Sequence, residues 1–304
     1  MINSNLPNNS IAINLVRPKS IFWHNLGKKW HKFSRSTLSI IGLVIILGVT
    51  ISAIFAPWVT PYPEHAGPFV DFDNAGQPPS LQHLCGTDNI GRDIFSRIIF
   101  AFRSALIMVV VVLAIAVPPG VLLGLIAGFF HNTWIDSIIM RFTDVFLSIP
   151  PLILALAIAS VLKPNLMNSM IAISSLWWRS YTRLVYGMTS AVSKEYFVIA
   201  ADLTGASKFH ILFREILPNC LSPVFTKMAL DAGWVILLGA TLSFIGLGEQ
   251  PPIPALGQMV SDGAILMPTF WWMSIFPALA IVLVILGFNL FGDGVRDMLE
   301  IGKE

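Results

Sequence analysis

Residues Ser193–Pro218 read SKEYFVIAADLTGASKFHILFREILP, a polar and charged stretch between two apolar ones. The pattern predicts two short helices joined at Gly205, because a left-handed residue is common just past a helix end. Ser193 is expected to cap the first helix, Glu195 to lie in its first turn, and Ser207 to cap the second helix. This stretch is therefore predicted to be a helix-glycine-helix unit.

The second of these helices carries an apolar stripe at helical spacing. The stripe consists of Phe209, Leu212, Phe213 and Ile216. Pro218 is expected to end the helix, because proline lacks a backbone N–H. A helix pair of this kind, presented to water between apolar segments, predicts a docking surface.

The composition is that of an integral membrane protein. Hydrophobic residues make up 55% of the chain and charged residues 12%, and the mean hydropathy is +0.74. Soluble globular domains carry about twice that share of charged residues. The formal net charge is +2, and no basic run is interleaved with aromatic residues, so no nucleic-acid partner is expected.

The cysteines and histidines do not indicate a cofactor. Cys85 and Cys220 are the two cysteines, and the topology proposed below places them on opposite sides of the membrane, so no disulfide is expected between them. The six scattered histidines lack the spacing of metal ligands. We therefore expect no catalytic site, no metal and no cofactor in this chain.

Six apolar segments are candidates to cross the membrane, which takes about 20 residues of helix. They are Leu38–Trp58, Ala105–Phe129, Val145–Leu162, Met167–Tyr186, Met228–Leu247 and Phe270–Phe291. The fourth is weak, because Arg179 and Arg183 interrupt it, and a five-span protein is the alternative.

The distribution of Lys and Arg favours six spans with both termini in the cytoplasm, since cytoplasmic loops collect these residues. In this topology the outer loops hold few of them: Arg92, Arg97, Arg103 and Lys163. The prediction is an all-α integral membrane protein. Its parts are a cytoplasmic tail (1–37), a first transmembrane anchor (38–58), an extracytoplasmic segment (59–104), a transmembrane core (105–293) that includes the 193–218 loop, and a cytoplasmic tail (294–304).

Residues Gly91–Arg103 form an amphipathic stretch just before the second span. Its apolar side predicts a helix that lies along the outer membrane interface. Asp93 and Arg97 have the spacing of an ion pair within one helix.

Proline clusters occur inside two of the spans. Pro118-Pro119-Gly120 and Pro150-Pro151 are expected to break or bend their helices, although prolines are also common in membrane helices.

A buried charge occurs in the fifth span. Asp231 follows Lys227 by four residues, which permits a pair within one helix. A proton relay is the other interpretation of a carboxylate inside a span. We interpret the two residues as an ion pair, because no second carboxylate accompanies Asp231 at a similar depth.

The helix-glycine-helix stretch resembles the cytoplasmic loop of ABC-importer permeases. The pattern of that loop is Glu-Ala-Ala, three residues, Gly, and then a stretch that ends in Ile-x-Leu-Pro or a close variant. Ala200, Ala201, Gly205, Leu217 and Pro218 match it. Ile199 stands where the family usually has glutamate.

Further segments resemble the shorter permease subunit of the branch that imports dipeptides, oligopeptides, nickel and metallophores. They are GTDNIGRDIFSR (Gly86–Arg97), MRFTDVFLSIP (Met140–Pro150), LSFIGLGEQPP (Leu242–Pro252) and FNLFGDGVRDMLE (Phe288–Glu300). Cys85 and Leu256 depart from the residues that are common there, Leu and Trp.

The resemblance implies a multi-pass protein of the bacterial cytoplasmic (inner) membrane that works within a heteromeric complex. Its expected partners are a second permease subunit, two cytoplasmic ATPase subunits, an extracytoplasmic substrate-binding protein and membrane lipid. No GxxxxGK[ST] phosphate loop occurs in the sequence, so ATP hydrolysis is expected in the partner subunits.

In this interpretation the 193–218 loop docks the ATPase subunits. Its expected contact residues are Glu195, Tyr196, Phe197, Ala200, Ala201, Gly205, Phe209, Leu212, Phe213, Leu217 and Pro218. Peptides are the expected substrates. The alternatives are a secondary transporter driven by an ion gradient and, third, a channel or assembly factor.

Overall fold

The computed structural model describes residues 32–299, which contain helices and loops but no β-strand. The helices are α1 (Thr37–Ile54), α2 (Ile94–Phe129), α3 (Trp134–Ser148), α4 (Pro151–Val161), α5 (Leu166–Val192), α6 (Tyr196–Leu203), α7 (Lys208–Phe244), α8 (Leu256–Ala264) and α9 (Trp272–Leu299). Short helical turns at Ala56–Val59, Pro63–Ala66 and Phe72–Asn74 lie between α1 and α2. The predicted tails fall largely outside the described residues.

Four of these helices are long and apolar enough to cross a membrane: α1, α2, α7 and α9. The pair α3 and α4 makes a fifth span if the two are counted together. Helix α5 contains 27 residues, a length of about 40 Å, but its polar side chains keep it outside this set. Helices α2 and α7 both begin well before the predicted spans, because their polar first turns are helical too.

The predicted third span, Val145–Leu162, is not one helix. Helix α3 ends at Ser148, α4 begins at Pro151, and the two are bent by 88° relative to each other. The expected break at Pro150-Pro151 is thus confirmed, and it is sharper than a kink because two successive prolines remove two backbone donors.

Arg179 of α5 satisfies the backbone at this break. Its Nη1 donates hydrogen bonds to the carbonyl of Phe146, in the last turn of α3, and to that of Ile149 at 3.4 Å. Terminal carbonyls of a helix have no partner within the helix, and a cation near them also interacts favourably with the helix dipole. Arg179, whose charge weakens the hydropathy signal of α5, therefore stabilises the bend between α3 and α4.

Helices α2 and α5 pack closely along a stripe of glycines. A Cβ atom at Gly120 would lie 2.4 Å from the carbonyl oxygen of Trp178, and one at Gly124 would lie 2.7 Å from that of Thr182. Gly128 continues the stripe at the same four-residue interval. Small residues at this spacing let membrane helices approach each other closely. Of the break or bend expected at Pro118-Pro119-Gly120, a break does not occur, because α2 continues through these residues to Phe129.

The polar loop segment, residues 59–93, folds back onto the start of α2. The Asp88 Oδ2 atom accepts a hydrogen bond from Arg92 Nε at 2.7 Å, and the Asp93 Oδ2 atom accepts one from the Ser96 N–H at 2.7 Å, which caps α2. The ion pair predicted between Asp93 and Arg97 is wrong, since Arg97 Nε lies 3.8 Å from Asp88 instead. The GTDNIGRD motif thus forms the cap of α2.

Most of the stretch Gly91–Arg103, which we expect to lie along the outer membrane interface, forms the first turns of α2. They belong to the same helix that continues to Phe129, and Ile94, Ile98 and Phe102 are buried within the protein. Their apolar side faces other helices and the polar loop segment because the Asp93 cap fixes the direction in which α2 starts.

His65 is buried in the polar loop segment. Its Nδ1 atom accepts a hydrogen bond from the Asp93 N–H at 2.8 Å, while His83 Nδ1 lies 2.9 Å from Asp93 Oδ1. Burial lowers the pKa of His65, and the nearby His83 adds to this effect, although Glu64, Asp93 and Asp88 oppose it. The neutral imidazole that results can accept the hydrogen bond from the Asp93 N–H.

We expect Arg179→Met to destabilise the protein by about 2 to 3 kcal/mol, because hydrogen bonds from a charged donor to buried carbonyls are lost. The measurement is the thermal unfolding midpoint of the purified detergent-solubilised protein. Arg183→Gln is the matched control, since Arg183 on the same helix pairs with Asp144 at 2.9 Å in an exposed ion pair. Equal midpoints for the two variants would contradict the role of Arg179.

Candidate functional site

The left-handed conformation predicted at Gly205, where α6 and α7 are joined, is confirmed, and we call this position the hinge for its place between the two helices. Gly205 has φ +82°, the Gly205 N–H donates to the Asp202 carbonyl at 2.9 Å, and the Ala206 N–H donates to the Ala201 carbonyl at 3.0 Å. This pair of hydrogen bonds is the Schellman motif that closes a helix C-terminus. A side chain at position 205 would meet no neighbour within 4 Å, so the requirement for glycine comes from the backbone conformation alone.

Of the two predicted caps, Ser207 is confirmed and Ser193 is wrong, and Glu195 lies one position before the first turn in which it is predicted. Ser207 does cap the second helix, accepting from the His210 N–H at 3.2 Å. Ser193 instead ends α5, and Glu195 is the N-cap residue of α6, without a capping hydrogen bond from its side chain. Helix α5 extends further than its apolar pattern, which shifts the start of α6 by two residues.

Pro218 does not end the second helix. The segment Ile211–Ile216 is one turn of π-helix, in which the Leu217 N–H donates to the carbonyl of Leu212, five residues back. The wider turn accommodates the proline near the start of the regular helix that follows. Helix α7 therefore runs without interruption from the hinge to Phe244.

Most of the predicted contact residues are on the surface. Glu195, Tyr196, Phe197, Ala200, Gly205, Phe209 and Pro218 are exposed, and Ala201, Phe213 and Leu217 are half-buried. Leu212 is buried, so its side chain is not available for docking.

Sequence reasoning missed Leu203, which is 83% exposed. Ile199 is exposed as well, and it occupies the position where the family loop has glutamate. Together with Tyr196, which is 89% exposed, and Phe209, which is 71% exposed, they form an apolar surface. We call Tyr196, Phe197, Ile199, Leu203 and Phe209 the docking surface, after the role that the sequence predicts for this helix pair. The signal that could have found Leu203 is its spacing: it follows Ile199 by four residues and Tyr196 by seven, so the three share one side of a helix.

The other side of this helix pair is anchored in the protein. Val198, Ile211 and Ile216 are buried and belong to the hydrophobic core. Lys208 Nζ lies 5.4 Å from the centroid of the Phe130 ring, in the loop between α2 and α3. The docking surface is therefore held by α7 and by the end of α2, and it is not a free loop.

Two open cavities adjoin along α7. One, of about 530 Å³, is bounded by the break between α3 and α4, by α5 and by α7. The other, of about 560 Å³, extends to the end of α9. Lys227, Asp231 and Trp234 line both cavities, and we call the two cavities together the α7 groove.

The predicted pair of Lys227 and Asp231 is confirmed. Lys227 Nζ donates to Asp231 Oδ1 at 3.1 Å, and it lies 5.3 Å from the centroid of the Tyr181 ring. The two cysteines are free, as expected. Burial raises the pKa of the Cys85 thiol to about 11, so this thiol is protonated at neutral pH. Among residues 32–299 no group of His, Cys, Asp and Glu is arranged to hold a metal ion.

Comparison with known proteins gives two family matches. Residues 120–302, more than half of the chain, match the binding-protein-dependent transport system inner membrane component. Residues 24–79 match the N-terminal transmembrane domain of oligopeptide transport permease C.

Curated relatives match over nearly the full chain. The probable D,D-dipeptide transport system permease protein of Escherichia coli K12 is 40% identical, covering 94% of each chain. A dipeptide transport system permease protein of Alkalihalophilus pseudofirmus is 40% identical, covering 88% of this chain and 87% of the relative. A glutathione transport system permease protein of Escherichia coli is 38% identical, covering 95% and 94%.

Residues 32–299 combine several apolar helices able to cross a membrane with an exposed helix-glycine-helix unit, and the matched family is one of membrane transport components. The chain belongs to the family of inner-membrane permease components of binding-protein-dependent ABC importers. It is thus a permease subunit of the bacterial inner membrane, as the resemblance implied. Membership of this family replaces the alternatives of an ion-driven transporter, a channel and an assembly factor.

We expect Gly205→Val to lower the amount of ATPase subunit that copurifies with the chain. A β-branched residue disfavours φ +82° by about 1 to 2 kcal/mol, which would open the Schellman motif and misplace α6. Gly205→Asn is the matched variant, because asparagine tolerates the left-handed region. The chain is purified from isolated membranes, and the ATPase subunit that copurifies with it is measured by quantitative immunoblotting. Loss of the ATPase in both variants, or in neither, would contradict a purely conformational requirement.

Proposed function

We propose that this chain forms half of the translocation pathway for short peptides and that its docking surface binds the ATPase subunits. A second permease supplies the other half, and an extracytoplasmic binding protein delivers the peptide. ATP hydrolysis takes place in two cytoplasmic ATPase subunits. The chain itself supplies the pathway and the mechanical connection.

The observation that carries this proposal is the exposure of large apolar side chains on a rigidly anchored helix pair. Tyr196, Leu203 and Phe209 each expose more than two thirds of their surface. Exposed apolar patches of this kind mark interaction sites, and aromatic anchors dominate the energy of protein interfaces. A partner that covers these side chains removes them from water.

The same helix pair is connected to the groove. Helix α5 leads through Glu195 into α6, and the hinge at Gly205 leads into α7. Because α5 and α7 both line the α7 groove, displacement of the docking surface by the ATPases would move two of its walls. This is the connection that an importer needs between nucleotide hydrolysis and the opening of its pathway.

We propose six spans with both termini in the cytoplasm. Helix α5 is long enough to cross the hydrocarbon core, and the α3–α4 pair crosses as one broken span. Arg179, which lowers the hydropathy of α5, is directed at backbone carbonyls of α3 rather than at lipid. Discontinuous helices are tolerated in membranes where protein satisfies the freed backbone groups.

Peptides are the proposed substrates because the relatives are named for dipeptide, D,D-dipeptide and glutathione transport. These compounds share free carboxylate and ammonium groups on a short amide chain. A groove of several hundred Å³ matches the size of sites for such small molecules.

Cysteine labelling of two exposed positions tests the topology. With Leu81→Cys, which replaces a side chain that is 98% exposed, a membrane-impermeant maleimide should label spheroplasts from outside. Tyr196→Cys should be labelled only after the membrane is opened. The native thiols give little background, since Cys220 is buried and Cys85 is protonated. Labelling of Tyr196→Cys in sealed spheroplasts would refute a cytoplasmic docking surface.

Reconstitution tests the function. The chain is purified with its second permease and ATPases, placed in liposomes, and given the binding protein with radiolabelled di- and tripeptides. Uptake should require ATP on the side of the membrane where the ATPase subunits are bound. It should stop when ADP replaces ATP. Uptake without nucleotide, or uptake of none of the peptides, would contradict the proposal.

A further inference from the structure

Lys227 and Asp231 lie in the α7 groove at the place where its two cavities adjoin. The side chain of Asp231 is 9% exposed and that of Lys227 is 29% exposed, so the pair borders open space and is not enclosed in the core. Along the groove, the pair therefore lies between the α3–α4 break and the end of α9.

The rest of the groove offers few free polar groups. Arg179 is engaged by the backbone carbonyls of the helix break. The hydroxyls of Thr226 and Thr241 donate to carbonyls of their own helix, at 3.2 and 2.8 Å. Leucine and tryptophan side chains make up much of the remaining wall. An ammonium entering this space would lose most of its hydration and would meet Asp231 as the one carboxylate among those of residues 32–299 that line the groove, whereas a carboxylate would meet Lys227 and, near the end of α9, Arg296.

The pair also has contacts inside the protein. Asp231 interacts with the hydroxyl of Tyr181 on α5, and Lys227 Nζ lies 5.3 Å from the centroid of the Tyr181 ring. Removing a carboxylate such as Asp231 from water is costly unless it is paired, and Lys227 supplies that pairing. Both charged groups nevertheless line the open groove, so a charged ligand in the groove would meet them.

We propose that Lys227 and Asp231 form a contact site for the charged ends of a peptide during translocation. Asp231 accepts hydrogen bonds from the α-ammonium, and Lys227 donates to a carboxylate. A zwitterion can exchange partners with an existing ion pair, so that each charge stays paired while the peptide passes. This inference rests on the proposed function and assigns substrate chemistry to one place in the pathway.

Three double variants of the full chain, assembled with its partner subunits in liposomes, test the proposal. The first, Lys227→Met with Asp231→Leu, removes both charges and keeps the volume. The second, Lys227→Asp with Asp231→Lys, exchanges them. The matched control is Asp144→Asn with Arg183→Gln, which removes an exposed ion pair that does not line the groove.

The measurement is the number of peptides taken up per ATP hydrolysed, using the radiolabelled di- or tripeptide that the wild-type complex takes up fastest. Removal of both charges should lower this ratio about tenfold or more, since charges left unpaired on desolvation cost several kcal/mol. Exchange of the charges should restore the ratio to within about threefold of wild type, because the zwitterion still finds both partners. The control should match wild type.

A wild-type ratio in the charge-removed variant would overturn the inference. So would a ratio that falls with both double variants of the pair, since that points to a structural need for the native arrangement. Failure of the wild-type complex to take up any peptide with ATP is a different result, because it contradicts the proposed function itself.

A second measurement applies if the charge-removed chain does not assemble. Trp234→p-benzoylphenylalanine places a photocrosslinker in the groove beside the pair, and Phe225→p-benzoylphenylalanine places one on an exposed position of α7 outside it. The labelled peptide should crosslink to position 234 and not to position 225 during turnover. Crosslinking of position 234 to the second permease alone would show that another subunit fills the groove, and it would overturn the proposal.

Discussion

The fold depends on how the backbone is satisfied where α3 and α4 part. In a hydrocarbon environment each free carbonyl is costly, and two prolines at the break remove the donors that a continuous helix would have supplied. Arg179 of α5 donates to the carbonyls of Phe146 and Ile149 and so holds the place where α3 and α4 are bent by 88° relative to each other. Leu147 before the bend and Pro151 and Leu152 after it line the α7 groove.

Helix α5 combines this role with two others. Along one face it packs against the glycine stripe of α2, at distances that exclude any larger residue, and at its C-terminus it continues into α6. A helix so closely packed moves as a rigid body. The proposed coupling therefore needs no flexible linkage: the docking surface, the hinge at Gly205 and the walls of the groove belong to one connected set of helices.

Local signals in the sequence predicted well those features that local physics determines. The left-handed Gly205, the Ser207 cap, the break at Pro150-Pro151 and the Lys227–Asp231 pair each follow from residue type and spacing. The errors concern features that depend on distant partners. Hydropathy could not show that Arg179 binds carbonyls of another helix, nor could the spacing of Asp93 and Arg97 show that Asp88 attracts that arginine. The helix end predicted at Pro218 is wrong because the π-helical turn Ile211–Ile216, which residue spacing does not predict, accommodates the proline within the helix.

The central claim is that the apolar surface around α6 is the place where nucleotide hydrolysis acts on the pathway. Leu203→p-benzoylphenylalanine tests it most directly, because position 203 is highly exposed and close to the Gly205 hinge. Irradiation of intact membranes should crosslink position 203 to a subunit whose peptides, identified by mass spectrometry, contain a phosphate-binding loop. The yield should change when a non-hydrolysable ATP analogue replaces ADP. Crosslinking to lipid or to the second permease alone, in both nucleotide states, would contradict the account.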